Sequence, residues 1–294
     1  MNKKSIDIQP VTNIEDVKQI EDIQRLTWNI DDLDIIPGWL FHAMQKNGAC
    51  LLGAFDGRKL VGFVFGLLGT LEGLDERVDQ VASARLIIYS LIMGVLPEYQ
   101  RAGIGYRLKM AQREFALRIG VRLVTWTYDP LESLNGYLNI HKLGVVCHRY
   151  LHDYYGEMGG INIGMPSDRF FVEWWVTSNR VKSRVSQNRG PLRLDQYLGG
   201  QAVIVNECDR NDKDLPVPPD GFLQLDNSLT IVEIPDDIQH VKAVDMPLSK
   251  RWREHLRLIF GHYFERQYLV TDFVRNMDER GLPRSYYILT LASG

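Results

Sequence analysis

The segment from Leu91 to Leu108, LIMGVLPEYQRAGIGYRL, constrains the fold of this chain more than any other. An apolar strand runs to Val95, Pro97 ends it, and two glycines, at 103 and 105, lead into a helical pattern. The first N–H groups of a helix have no intrahelical acceptor and carry partial positive charge. Because glycine has no Cβ atom, a phosphate can approach such a backbone closely. The spacing therefore predicts a strand–loop–helix unit that binds a phosphate or pyrophosphate.

Two other phosphate-binding motifs fit this segment less well. A dinucleotide-binding fingerprint would need a third glycine where Leu108 stands, and an acidic residue at the end of the next strand. A Walker-A loop would need Gly-Lys-Ser/Thr after the glycines, and the chain has none there. On the glycines alone, an ordinary glycine-rich turn stays open as the alternative.

The hydrophobic pattern around this segment predicts an α/β layout over residues 1–178. Alternation and apolar runs indicate strands, and apolar residues at helical spacing indicate helices, in the order β-α-α-β-β-β-α-β-α-β. The predicted strands cover 5–10, 50–55, 60–68, 86–95, 121–127 and 170–176, and the predicted helices lie at 14–28, from Pro37, from Gly103 and at 133–143.

The remainder of the chain is predicted to form two further regions. Residues 179–227 are polar and contain clustered prolines, so we interpret them as a linker or loop region. Residues 228–294 regain apolar periodicity and predict a small C-terminal α+β domain. Its predicted elements are strands at 229–234, 268–274 and 286–291 and a helix whose N-terminus is capped by Ser249.

Composition disfavours several classes of partner. The 294 residues contain 34 Lys+Arg against 37 Asp+Glu, which gives no excess positive charge for nucleic-acid binding. The most apolar stretch, from Leu60 to Leu74, is too short to span a bilayer, so we expect a cytoplasmic protein without a membrane partner. Three widely spaced cysteines predict reduced thiols. His148 and His152 lack the HExxH arrangement, so no metal is expected.

The glycine segment, in its context, resembles the coenzyme A pyrophosphate loop of the GNAT acyltransferase superfamily. The loop of that family reads Q-x-x-G-x-G after a strand that ends Val-x-Pro, and here Val95, Pro97, Gln100, Gly103 and Gly105 occupy these positions. Downstream, Asn135 and the KLGV at 142–145 resemble the family's next helix, which typically reads N-x-x-A and ends in K-L-G-F. The resemblance covers about residues 5–178. It points to a poorly characterised bacterial branch with an added C-terminal domain.

The resemblance implies a GNAT-type mixed sheet, splayed at its centre and flanked by helices, that binds acetyl-CoA or another acyl-CoA as co-substrate. The main chain of Val95 would pair with the pantetheine arm, and the N–H of Met93 would face the thioester oxygen. Asn135 would lie near the cofactor sulfur. The residues that would hold the cofactor in the loop are Gln100, Arg101, Ala102, Gly103, Ile104, Gly105 and Tyr106.

The chain departs from the family pattern at both usual proton-transfer positions. Ile140 stands where many members have a tyrosine acid, and Tyr89 stands where many have a glutamate base. Substitute acids could be Tyr89 itself, Tyr154 or Tyr155. Asp129 and Glu132 follow the fifth strand, where acceptors bind in this family, and could hold an ammonium group or receive its proton.

The resemblance therefore implies an acyl-CoA-dependent N-acyltransferase that moves an acetyl or other short acyl group, such as succinyl, to a small amine. The absence of a strong base favours an amino-acid α-amine as acceptor. Two alternatives stay open: a non-catalytic acyl-CoA-binding regulator, and a peptide or protein N-acetyltransferase. A homodimer is also left open.

Overall fold

The computed structural model describes residues 6–70, 86–186, 190 and 192–292. The chain forms two compact units. Among the described residues, the first unit contains those up to 126 together with 159–161 and 175–177, and the second contains 127–158, 162–174 and those from 178 onward. Within the described ranges, every helix is too short or too polar to cross a bilayer.

The first unit is built on a mixed sheet with the strand order β1-β2-β3-β4-β5. Strands β1 to β4 pair antiparallel, and β5 pairs parallel with β4. The bounds are β1 Ile6–Pro10, β2 Cys50–Asp56, β3 Lys59–Thr70, β4 Leu86–Val95 and β5 Leu123–Tyr128. Asp56 and Gly57 lie in the hairpin between β2 and β3, where Gly57 has a φ of 63°.

Three helices of the first unit pack with this sheet: α1 Ile14–Trp28, α2 Gly38–Lys46 and α3 Ile104–Arg118. Asn13 caps α1 by accepting a hydrogen bond from the N–H of Glu15 at 2.8 Å. Phe41 of α2 is fully buried and meets Phe65 of β3 edge-on, with ring centroids 4.9 Å apart. Such packing of aromatic rings stabilises the core beyond the buried area alone.

The second unit contains a further set of paired strands, in the order β7-β6-β12-β13-β11-β8. Its strands are β6 Val146–Leu151, β7 Arg169–Trp175, β8 Val203–Ile204, β9 Asp209–Arg210, β10 Pro216–Val217, β11 Leu229–Ile234, β12 Tyr268–Met277 and β13 Pro283–Leu291. Its helices are α4 Ser133–Gly136, a π-helix Tyr137–Lys142, α5 Asn179–Val185, α6 Leu194–Gly199, α7 Ile238–Val244 and α8 Met246–Glu265. Phe170, Phe260 and Tyr287 pack their rings together in its core.

The structure confirms the α/β class and most predicted elements, and the predicted strand at 229–234 has the same bounds in the structure. The region predicted as linker contains α5, α6 and three two-residue strands. β12 pairs with β6 at Val270 and Cys147, so C-terminal strands share a unit with residues that precede position 178. The compact units divide the chain at other positions than the predicted domain boundaries, and those boundaries stay a prediction.

One local prediction is wrong. Ser249 does not cap the C-terminal helix: it lies inside α8, which begins at Met246 and is capped by Asp245 through the N–H of Leu248 at 2.9 Å. An aspartate followed by Met-Pro fits a helix start as well as Ser249 does, because proline favours the first turn.

Candidate functional site

The pairing of β4 and β5 is short, although both strands are longer. Their parallel ladder runs from Ile87 and Leu123 to Tyr89 and Thr125, which makes three residue pairs among the described residues. β4 then continues to Val95. Its register with β3 shifts at the same place, so that Ser90 and Leu91 lie opposite the single residue Gly66. Because a bulge of this kind bends its strand, β4 turns where the β4–β5 ladder ends.

Beyond the bulge, every second residue of β4 directs its main-chain N–H and C=O groups away from β3. The N–H of Leu96 donates to the carbonyl of Val61 at 2.9 Å, which makes these two residues a hydrogen-bonded antiparallel pair. Hydrogen-bonded and non-hydrogen-bonded pairs alternate along such a ladder. Val95 and Met93, which lie opposite Gly62 and Val64, are therefore non-hydrogen-bonded pairs with β3. Their N–H and C=O groups point to the other edge of β4.

The loop after β4 is fixed by side chains at several points. The hydroxyl of Tyr99 donates to Asp56 at 2.7 Å, and Nζ of Lys59 lies 3.1 Å from Glu98. Nε2 of Gln100 donates to the carbonyl of Val95 at 3.0 Å, so this side chain closes the turn onto the strand that precedes it. These contacts hold the loop in one shape before any ligand arrives.

The N-terminus of α3 has no side-chain cap. Its N-cap residue is Gly103, at a φ of 78°, whereas Asn13 and Asp245 cap α1 and α8 with side-chain oxygens. A Cβ atom at Gly103 would meet nothing within 4 Å, so the backbone there borders open space. Arg101 is exposed and has a φ of 59°, also in the left-handed region. Uncapped N–H groups beside an exposed guanidinium form an arrangement that suits an anion.

The other residues predicted for this loop lie just before α3 or in its first turn. Ala102 is exposed, Ile104 is buried as the first residue of α3, and Gly105 and Tyr106 are half-buried in its first turn. The N–H of Arg107 is the first to bond within the helix, to the carbonyl of Gly103 at 3.1 Å. The N–H groups ahead of it are those that a helix leaves without an intrahelical acceptor. Their assignment to a pyrophosphate stays a prediction.

In the second unit, Asp129 forms a buried ion pair. Nη1 of Arg253 on α8 donates to its Oδ1 at 2.8 Å, and Nη2 donates to its Oδ2 at 2.5 Å. Arg169 lies 3.7 Å from the same carboxylate, and Oδ1 also accepts from the N–H of Leu131. Burial alone would lower the pKa of Arg253, but the charge of Asp129 outweighs it and the pKa is raised. The carboxylate is thus already paired, and the predicted role of Asp129 in holding an ammonium group stays a prediction.

Glu132 and Tyr155, the proton-transfer candidates of the second unit, differ in environment. Burial first, and then the nearby charge of Asp129, raise the pKa of Glu132, and Nε2 of Gln239 donates to it at 2.6 Å. A raised carboxyl pKa is what a general base needs near neutral pH. Tyr155 is 43% exposed, and its hydroxyl lies 2.9 Å from Oγ1 of Thr127. Asn135 is exposed on α4. None of their predicted roles is tested.

The two positions that depart from the family pattern are different kinds of residue. Tyr89 is half-buried at the last β4–β5 pair, and Ile140 is fully buried in the π-helix. Ile140 therefore packs as a core residue. Tyr154, the other tyrosine considered as an acid, is 48% exposed.

Sequence reasoning missed Lys109. Lys109 on α3 is 2% exposed and its side chain contacts Ser90 of β4, whereas the apolar Ile119, just after the same helix, is 40% exposed. Helical spacing gave no signal for it, because a lysine beside an apolar face is normally solvated. His255, on α8 of the second unit, is buried as well.

The described residues contain no group of three or more His, Cys, Asp or Glu side chains that could hold a metal ion. The three cysteines are buried and unpaired. Burial raises the pKa of the Cys50 thiol to about 12.

No protein-family model and no curated protein match the chain. Among solved structures, it is similar to the ribosomal-protein-S18-alanine N-acetyltransferase from Escherichia coli, at 15% identity and a TM-score of 0.44, over 59% of this chain and 96% of that one. It is also similar to Arabidopsis thaliana NAA60 in complex with acetyl-CoA, at 19% identity and a TM-score of 0.46, over 58% and 99%. An N-acetyltransferase from Staphylococcus aureus Mu50 has 15% identity and a TM-score of 0.46, over 59% and 99%. These values are too low to assign a function to the chain.

Proposed function

We propose that this chain transfers a short acyl group from an acyl-CoA to an amine. The observation that carries the proposal is the edge of β4, where the main-chain groups of Met93 and Val95 point away from β3 beyond the last β4–β5 pair. The same strand leads directly into the uncapped N-terminus of α3. An extended ligand arm that ends in phosphates matches this succession of strand edge and helix start.

Each part of the cofactor has a partner of suitable chemistry in this proposal. The pyrophosphate accepts hydrogen bonds from the backbone between Arg101 and Tyr106, with the Arg101 side chain as a charged donor. The carbonyl of Val95 already accepts from Gln100 at 3.0 Å and from Thr27 at 3.3 Å. We therefore assign the N–H of Val95, rather than its carbonyl, to the pantetheine arm.

The reaction would be a direct attack on the thioester. The amine lone pair forms the C–N bond while the C–S bond breaks, the amine proton passes to a base, and the thiolate takes up a proton as coenzyme A leaves. In this assignment the N–H of Met93 stabilises the oxygen that becomes negative.

We favour an amino-acid α-amine as the acceptor. An α-amine has a pKa near 8, so about a tenth of it is neutral at pH 7. A lysine-type amine, with a pKa near 10.4, is neutral about once in 2,500 molecules, which costs roughly 4.6 kcal/mol. Since Tyr89 stands where the family's usual glutamate base would be, the acceptor that needs less deprotonation is the better match.

The same two departures support a second candidate, a non-catalytic acyl-CoA-binding regulator, because neither Tyr89 nor Ile140 is the usual proton-transfer group. Thiol release from acetyl-CoA and succinyl-CoA, measured against a panel of amino acids, polyamines and short peptides, separates the two. Amine-dependent release with amino acids supports the proposal. Thiol release only with peptides would indicate a peptide or protein acceptor instead of an amino acid. Binding of acyl-CoA without thiol release across the panel would favour the regulator.

A further inference from the structure

Lys109 is a buried cation at the start of the region where β4 leaves β5. Its side chain, on α3, is 2% exposed, and its Nζ donates to Oγ of Ser90 at 2.8 Å and to Oε1 of Gln112 at 3.1 Å. The same Nζ lies 3.7 Å from the ring centre of Trp126, a position that favours the charged form. Burial lowers the pKa of Lys109 to about 7.

The donors of this cluster are not matched by acceptors. Within the described part of the chain, no carboxylate acts on the pKa of Lys109, and the titratable group that does is the Cys50 thiol. An ammonium group has three donors, of which Ser90 and Gln112 take two. Among the described residues, the fully buried Nε2 of Gln112 has no oxygen or nitrogen acceptor, and the group that it approaches is the neutral thiol of Cys50, a weak acceptor. Buried charges are normally paired and buried amides are normally bonded, so the cluster lacks an anion.

The position of the cluster indicates where that anion would come from. The last β4–β5 pair is Tyr89 and Thr125, and Ser90 and Trp126 are the next residue of each strand. Lys109 contacts both, so its ammonium lies at the closed end of the separation between the strands. Met93, whose N–H we assign to the thioester oxygen, is three residues further along β4, roughly 10 Å of extended chain. An acyl group directed toward the closed end approaches Lys109.

We propose that the acyl group of the substrate carries a terminal carboxylate, which Lys109 and Nε2 of Gln112 bind. This inference rests on the proposed function and names its donor class as the CoA thioesters of short dicarboxylic acids, such as succinyl-CoA. Acetyl or butyryl groups would leave the ammonium and the amide unmatched. A carboxylate supplies the missing charge and acceptor in a site from which water is excluded, where such a pair is strong.

The test is a binding comparison between two thioesters of similar length. The affinities of CoA, butyryl-CoA and succinyl-CoA are measured by calorimetry without acceptor. The affinity for each thioester is then divided by the affinity of the same protein for CoA. Wild type should favour succinyl-CoA over butyryl-CoA by at least about tenfold, which corresponds to about 1.4 kcal/mol. Lys109→Met should bring this ratio close to one. Lys18→Met, at an exposed lysine of α1, should keep it.

The pH dependence gives a second reading that needs no variant. Cys50, on β2, is the titratable group that acts on Lys109 electrostatically, and its thiol stays neutral because burial raises its pKa to about 12. The preference for succinyl-CoA should therefore fall as pH rises from 7 to 9 and Lys109 loses its proton. If wild type binds CoA but binds succinyl-CoA and butyryl-CoA with equal affinity, this inference is overturned and the proposed function stands. Failure to bind CoA at all would overturn both.

Discussion

The two units of this protein treat buried charge in opposite ways. In the second unit, Arg253 is 1% exposed and both its terminal nitrogens bond to Asp129. In the first unit, Lys109 is equally buried, yet its partners are the uncharged Ser90 and Gln112. A paired buried charge is part of a protein's architecture, whereas an unpaired one costs stability and calls for a ligand or a chemical use. The contrast separates a structural cluster from a candidate binding site.

The second unit contains another balanced cluster around Asp272. The carboxylate accepts from Arg184 at 2.6 Å and from the Tyr197 hydroxyl at 2.7 Å, and it lies 3.0 Å from Nδ1 of His141. Burial alone would raise the pKa of Asp272, but the hydrogen bond with His141 and the charge of Arg184 outweigh it, and the pKa is lowered to about 2. Every partner here favours the charged form and together they outweigh burial, whereas at Lys109 burial outweighs the uncharged partners.

Substitution of Arg253 by methionine should give the largest loss of stability. It leaves the buried carboxylate of Asp129 without its bidentate partner, which typically costs about 3–5 kcal/mol. Urea unfolding at pH 7 measures the change. Arg251→Met is the matched control, because Arg251 pairs with the fully exposed Asp220. This variant should lose less than about 1 kcal/mol of unfolding free energy. If Arg253→Met has the same unfolding free energy as wild type, the ion pair does not stabilise the second unit and the contrast between the units is contradicted.

Acid should remove the contribution of Asp272. Because its folded pKa, about 2, lies below the unfolded value near 3.9, the contribution is complete above about pH 4 and is lost as pH falls through 2. The loss should be on the order of 2 kcal/mol. Urea unfolding between pH 2 and 5 should show the stability difference between wild type and Asp272→Asn shrink as pH falls. A constant difference would contradict the lowered pKa.

The contribution of Lys109 should also rise with pH, but over a higher range, and the cause is burial, which disfavours its charged form. Its folded pKa, about 7, lies below the unfolded value near 10.4, so the unfolded chain binds more protons between these values. Wild type should therefore gain stability relative to Lys109→Met as pH rises from 7 to 10, by at most about 1.4 kcal/mol per pH unit. At pH 7 the variant should be at least as stable as wild type. A variant that is much less stable at pH 7 would make Lys109 a structural residue.

Local pattern predicted the elements of the candidate site but not its chemistry. The strand ending at Val95 and the helix that begins after Gly103 follow from apolar runs, a proline and glycines, and both are confirmed. The register shift that places Ser90 and Leu91 against Gly66 depends on how β4 pairs with β3, which no local pattern records. The burial of Lys109 depends on the same pairing, and so sequence reasoning missed it.

The C-terminal part shows the same limit on a larger scale. The strand at 229–234 and a helix through Trp252 and Ile259 were readable from periodicity. That β12 would pair with β6 at Val270 and Cys147 was not, since these positions are more than 120 residues apart. The partnership of Arg253 with Asp129 is a consequence of such long-range packing. A division of the sequence into consecutive domains therefore does not predict this ion pair.

The most direct test of the account is calorimetric titration of CoA into wild type, Gly103→Val and Gly120→Val. Both glycines have a φ of 78° and open space at the Cβ position, and they lie at opposite ends of α3, so valine strains each backbone alike. We predict that wild type and Gly120→Val bind CoA, and that Gly103→Val loses at least about tenfold in affinity, because its side chain occupies the space in front of the helix N-terminus. Equal binding by the two variants, or no binding by wild type, would contradict the assignment of this loop to the cofactor.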